Sequence, residues 1–112
     1  GKDIDATIDL KEPTEIQKIA FNTNVVKGDW IMGAAAVTVK VSDDGKNFKE
    51  IASKTIPELT QNDKDGIYPQ EITFAPVKTR YVEVIIKSSK LPKWHGGAGS
   101  PAFLFVDEIE IL

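Results

Sequence analysis

Trp94 and His95, the latter the only histidine, stand side by side in the run Leu-Pro-Lys-Trp-His-Gly-Gly-Ala-Gly-Ser-Pro at residues 91–101. An indole presents a negative π-face that meets the C–H groups of a pyranose, and an imidazole can donate to a sugar hydroxyl. The glycines around them make the loop costly to order, because glycine loses the most backbone freedom on folding. Such a loop serves either as a ligand platform or as a plug closing the end of a β-structure. Trp94 therefore has two readings, a stacking surface or a lid over the core. His95 also has two, a sugar donor or a loop anchor bonded to backbone. Trp30 is followed by Ile31 and Met32, which favours packing. Asp29, Lys93 and Tyr68 are the polar residues placed to join them in ligand binding. Lys90 and Lys93 would suit an anionic sugar, with a solvated role as the default.

Catalysis finds little support. A hydrolase needs paired carboxylates at a set separation or a nucleophile–base pair. The chain has no cysteine, one imidazole, no Gly-x-Ser-x-Gly and no phosphate loop. Asp63 and Asp65 ahead of Gly66 resemble the start of a calcium loop, but Gln61 and Ile72 occupy its first and twelfth positions. Residues 62–66 read as a flexible turn. No cofactor is expected, and weak structural calcium is a minority option.

The elements that must position these residues are strands. Ala35, Val37, Val39 and Val41 alternate with Ala36, Thr38, Lys40 and Ser42, the pattern of a half-buried strand. Val82, Val84 and Ile86 alternate with Tyr81, Glu83 and Lys87, and Phe103, Phe105, Ile109 and Ile111 share one parity with Asp107. Weaker strands fall at 5–10, 16–22, 48–52 and 71–75, making seven. The Ile16 to Ile19 spacing breaks alternation and predicts a bulge or a late strand start. Arg80, the only arginine, shares parity with Val82 and Val84, and pairing with Asp107 or Glu108 is expected.

Asp43-Asp44-Gly45-Lys46-Asn47 reads as a tight hairpin turn, and residues 11–15 and 76–78 as short connections. The connections at 23–33, 53–70 and 88–101 are long. If successive strands run antiparallel, the short turns and long loops alternate between two poles. All three long loops then gather at one pole, with Asp29, Trp30, Tyr68, Lys93, Trp94 and His95. Loops gathered at one end of a rigid scaffold commonly carry binding residues. An odd strand count also places the termini at opposite poles.

A chain of 112 residues reads as one domain, able to bury roughly two-thirds of its unfolded surface. Its 41% hydrophobic and 28% charged content is that of a soluble globular domain. A net charge of −3 with scattered lysines excludes a nucleic-acid footprint or a polybasic membrane anchor. The apolar run at 102–106 is far too short for membrane insertion. Zero cysteines exclude a disulfide framework. The start at Gly1-Lys2-Asp3, with no signal peptide, reads as a fragment cut from a longer protein.

Val39-Lys-Val-Ser-Asp-Asp-Gly-Lys-Asn-Phe48 resembles the hairpin of coagulation factor V/VIII type C (discoidin-like) domains. Thr79-Arg-Tyr-Val-Glu-Val-Ile85 and Ala6-Thr-Ile-Asp-Leu10 are similar to two of their strands. Gly1-Lys-Asp-Ile-Asp-Ala-Thr-Ile-Asp-Leu10, Asp29-Trp-Ile31, Trp94-His-Gly-Gly-Ala-Gly99 and Phe105-Val-Asp-Glu-Ile109 resemble the module closing many Bacteroidetes glycoside hydrolase family 20 enzymes, the chitobiases and β-N-acetylhexosaminidases. The resemblance implies an all-β, discoidin-like jelly-roll sandwich of seven to eight mainly antiparallel strands. It also implies a non-catalytic, carbohydrate-binding accessory domain holding glycans, N-acetylglucosamine-containing ones among them, at the loop pole. The parent catalytic domain would be a partner in cis, and the location secreted, periplasmic or cell-surface. The lead-in segment with which such domains open is missing, so their calcium site does not carry over. The alternative is a structural domain docked on the parent enzyme, with no ligand of its own.

Overall fold

Two long strands organise the chain, and the register between them explains why the sequence reads as more strands than it has. The computed structural model describes residues 3–60 and 62–112. Strand β1 runs Ile4–Val25, β2 Ala34–Ser42, β3 Lys49–Thr55, β4 Gly66–Ser88 and β5 Glu110–Ile111, with a 3-10 turn at Lys27–Asp29. They form one antiparallel hydrogen-bonded network in the order β3-β2-β4-β1-β5.

The expected strands at 5–10 and 16–22 are two halves of β1, and those at 71–75 and 82–86 are two halves of β4. The halves pair separately: Ile4–Asp9 with Tyr81–Ile86, and Lys18–Val25 with Gly66–Thr73. Between them the register slips from Asp9 to Thr14 and Lys11 takes a positive φ of 74°, so the ribbon bends where short connections were expected. A second slip, between Ile16 and Lys18, is the bulge predicted from the spacing.

The bent ribbon faces itself. Ile16, Ile19, Phe21 and Ile72 from one half share a core with Val82, Val84 and Ile86 from the other, closed by Val37, Val39 and Val41 of β2. These side chains occupy the inward positions of period-two strands, and their burial is the main stabilising term. The result is an all-β sandwich. It has fewer continuous strands than the seven to eight expected, because each of two bent strands was counted twice and residues 102–109 make only isolated bridges, such as Thr23 with Val106.

At the bend, the β2–β3 turn seats itself against β4. Gly45 has φ 76°, and a Cβ there would lie 3.1 Å from the Tyr81 ring. Thr79 Oγ donates to Ser42 O at 2.9 Å. The Asp44 carboxylate accepts from Asn47 N, Lys46 N, Ser42 Oγ and Asn47 Nδ2, with the Asn47 and Lys46 amides foremost in holding its pKa far below the usual carboxylate range.

Arg80 pairs with Asp9, its Nε at 3.0 Å and a second nitrogen at 3.1 Å, and not with Asp107 or Glu108. The Asp9–Tyr81 register at the bend brings these two side chains together. The Arg80 hydrogen bond, helped by the Lys11 amide, lowers Asp9 from 3.8 to about 2. Phe103 and Phe105 also differ from the simple alternation. They face outward, 55% and 54% exposed, while Leu104 and Val106 pack on the core. Ile109 and Ile111 pack inward, so the side-chain parity slips between 106 and 109 where no continuous ladder holds it. Among the described residues, no helix is long and apolar enough to cross a membrane.

Candidate functional site

The three long loops meet at one pole, as the alternation of turns and loops requires. Loop residues 26–33 and 89–101 leave opposite ends of the β1–β4 ribbon, yet Ser89 Oγ donates to Gly33 O at 3.0 Å because the ribbon doubles back. Loop 56–65 joins them through Leu59, whose carbonyl accepts the Trp94 indole N–H at 3.1 Å.

Lys27 fastens the first two loops. Its backbone N–H donates to Asp65 Oδ1 at 3.0 Å, its ammonium donates to Asp63 O, and that ammonium lies 3.8 Å from the Asp65 carboxylate. Asp63 also accepts from Thr60 N at 2.6 Å. The two aspartates read as the opening of a calcium loop are therefore engaged with protein groups, and Gln61 lies outside the described residues. Among the described residues, no group of three or more His, Asp or Glu converges to hold a metal.

His95 fastens the first loop to the third. Its Nε2 donates to Lys27 O at 2.8 Å, and its Nδ1 accepts from Gly97 N at 2.9 Å. This pair of bonds selects the neutral tautomer with the proton on Nε2. The imidazole also stands between the two indoles, 6.1 Å from Trp30 edge-on and 5.9 Å from Trp94. Beneath them lies a second apolar cluster of Val25, Met32, Leu91 and Ala102, on which Leu59, Tyr68 and Trp94 pack.

The sequence candidates thus divide. Trp94 and His95 are half-buried and structurally bonded, the lid and anchor readings of each. Trp30, expected to pack, is 40% exposed, and of its neighbours only Met32 is buried. The cause is local: Trp30 closes the 3-10 turn with a left-handed φ of 62°, outside any strand, and the covered side of its ring lies over Gly97. Asp29 is exposed beside it in the same turn. Tyr68 is half-buried, its hydroxyl donating to Lys64 O, and Lys93 is exposed.

Tyr68 and Lys93 border a cleft of about 670 Å³ that opens between the loops. Val25, Met32, Ile56, Leu59 and Leu91 supply its apolar floor, and Lys90, Lys93 and Glu58 sit at its lining with Ser88 and Ser89. Sequence reasoning missed Lys27, Leu59 and Ile56. Ile56 and Leu59 left a signal, as the only apolar residues besides Pro57 in the otherwise polar stretch 53–66. Lys27 left none.

The arrangement offers an exposed indole, a neighbouring carboxylate and an apolar cleft with cationic and hydroxyl groups at its margin. Among the described residues of this pole, no general acid is paired with a base or nucleophile. The arrangement can hold a ligand by stacking and hydrogen bonding.

The sequence matches the F5/8 type C domain family over residues 2–103. No curated protein matches the chain. A rhamnosidase from Novosphingobium sp. PP1Y is similar in fold at TM-score 0.57 and 19% identity, over 95% of this chain and 8% of that one. A Clostridium perfringens CBM32 module, solved in complex with GalNAc-β-1,3-galactose, is similar at TM-score 0.57 and 23% identity, over 91% of this chain and 63% of the module. The C-terminal domain of a chitobiase from Bacteroides fragilis is similar at TM-score 0.54 and 16% identity, over 100% and 66% respectively. This chain therefore spans under two thirds of those relatives' lengths. At such identities the likeness is one of fold.

Proposed function

Because this chain belongs to the F5/8 type C domain family, we propose that it is a non-catalytic carbohydrate-binding domain that holds glycans at the loop pole. The observation that carries this reading is that the loop pole holds both an apolar cleft and, outside its lining, an exposed Trp30 ring set against His95. One aromatic platform with a few polar contacts supports affinities from about millimolar to micromolar, roughly −4 to −8 kcal/mol. Such weak binding suffices when a tethered enzyme needs its substrate at high local concentration. The parent is a secreted, periplasmic or cell-surface glycoside hydrolase of the chitobiase type, and N-acetylglucosamine-containing glycans are the ligands to test first. Likeness to a chitobiase C-terminal domain and to a sugar-bound module supports this choice.

Titration with N-acetylglucosamine oligomers should quench or shift Trp fluorescence and move the Trp30 indole resonance. Trp30→Ala should abolish the response while leaving the fold intact. No response at high millimolar sugar in the unaltered domain would overturn the reading.

One observation favours a second reading, a structural domain docked on its parent enzyme. Trp94 and His95 are bonded to backbone, and the cleft floor is apolar. Under that reading, sugars leave the spectrum unchanged and an added catalytic domain protects the loop pole from amide exchange.

A further inference from the structure

The outer face of the half formed by Lys18–Val25 of β1, Gly66–Thr73 of β4 and β5 carries three cross-strand rows whose chemistry changes in one direction. The register sets the rows. Asn24 pairs with Ile67 on one side and donates its backbone N–H to Phe105 O on the other at 3.1 Å. Asn22 pairs with Pro69 and accepts from Asp107 N at 3.1 Å. Ala20 pairs with Glu71 and with Glu110. The inward neighbours Ile19, Phe21, Thr23 and Val25 are buried, so Ala20, Asn22 and Asn24 point out of the sheet.

The first row is apolar and open: Phe105 is 54% exposed and Ile67 64%. The second offers the Asn22 carboxamide beside the Asp107 carboxylate. Neither of these side chains, nor that of Asn24, makes a hydrogen bond among the described residues. The third is a notch, because Ala20 is the smallest residue in it and Glu71 and Glu110 stand on either side. Two hollows follow these rows. One of about 130 Å³ is bordered by Phe105, Ile67, Asn24 and Asp107, and one of about 710 Å³ by Asn22, Asp107, Glu71 and Glu110. They share Asn22 and Asp107 and so form one groove along β1.

We propose that this groove is a second glycan site, separate from the loop pole, and that it takes a short oligosaccharide carrying free amino groups. A pyranose stacks on Phe105 through its C–H face. The next ring meets Asn22, Asn24 and Asp107, which supply both donors and acceptors. An ammonium group of the following sugar enters the notch over Ala20, between Glu71 and Glu110. Successive rows lie roughly 6.8 Å apart, so the three rows span about 14 Å, the reach of a trisaccharide. Charge decides the occupant. Asp107, Glu108, Glu110 and Glu71 line the groove. Among the described residues two cations meet them, Lys18 at 3.6 Å from the Glu71 carboxylate and Lys54, which donates to Glu71 O at 3.0 Å, so the carboxylates outnumber the ammonium groups by two. Uronic and sulfated sugars are repelled by such a surface, and amino sugars are drawn to it.

The probes are the glucosamine trimer and its N-acetylated counterpart, titrated into the 15N-labelled domain. The glucosamine trimer should shift amides at 20–24, 67–71 and 105–110, and the acetylated trimer should bind there at least about tenfold more weakly. Added salt should weaken the glucosamine complex, since the ion pairs are exposed. Phe105→Ala and Glu110→Gln should each reduce affinity about tenfold, and both lie at exposed positions where folding is retained. Trp30→Ala should leave these shifts unchanged, which separates failure here from failure at the loop pole. Absence of the shifts, equal binding of both trimers, or a Phe105-dependent self-association indifferent to sugar would each overturn the proposal.

Discussion

At the scale of single residues, His95 shows how one side chain can set a surface it does not itself present. Its two ring nitrogens join Lys27 O to Gly97 N, and its ring fixes the edge of Trp30. Replacing it removes two hydrogen bonds and leaves a half-buried carbonyl and amide to find water. His95→Ala should therefore cost about 1–3 kcal/mol in chemical denaturation and release amide protection at residue 97. Glycan affinity at the loop pole should fall further than stability does, because Trp30 loses its neighbour. The anchor role was one of two readings open in the sequence, and only the distances separate them. Trp30 is more exposed than packing by its neighbours would make it, for a related reason. Its apolar successors argue for packing, but a left-handed turn-closing residue takes its direction from the turn and not from its neighbours. Arg80 found Asp9 because the bend sets that pairing, and strand register between residues 71 positions apart leaves no mark on local sequence.

Among the elements, the outer face of the half formed by Ile4–Asp9, Tyr81–Ile86 and β2 holds a contest between like charges. Glu83 of β4 lies across from Thr7 of β1 and Lys40 of β2, diagonal to Asp5. A hydrogen bond with Asp5, then loss of water and repulsion by the same carboxylate, raise Glu83 above its usual 4.5, with Lys40 opposing. A raised folded-state value contributes stability below the ordinary pKa and loses it as pH rises through the shifted one. Glu83→Gln should therefore raise the thermal midpoint at neutral pH, and the difference from the unaltered domain should vanish well below pH 4.5. Period-two alternation made β2 and the inward side of β4 legible residue by residue. It could not show that two strands were halves of one, because a bend with a register slip interrupts the pattern as a turn does. Phe103 and Phe105 escaped for the opposite reason: without a continuous ladder, alternation no longer fixes which side faces in.

Over the whole molecule, the bend and the third long loop are held by different chemistry. The bend depends on ionised carboxylates, Asp9 on Arg80 and Asp44 on the amides of its own turn. Both have lowered folded-state pKa values, so their contribution is complete above about pH 4; that of Asp9 fades as pH falls toward about 2, and that of Asp44 persists to lower pH still. Amide protection factors at 9–11 and 79–81 should drop across that window, and those at 44–47 below it. Those of Leu91, His95, Gly99 and Ala102, which donate to backbone carbonyls, should hold. The gathering of long loops was legible from connection lengths alone, since doubling back the ribbon preserves the alternation on which the reasoning rests. The chain ends obey the same geometry. Asp3 accepts from the Ser88 amide at 2.9 Å on the cleft side, whereas Leu112 exchanges backbone hydrogen bonds with Lys18 near the bend. Asp3 thus stands beside the cleft margin that Ser88 lines. Leu112 stands instead toward the bend, further along the register than the Ala20–Glu110 row.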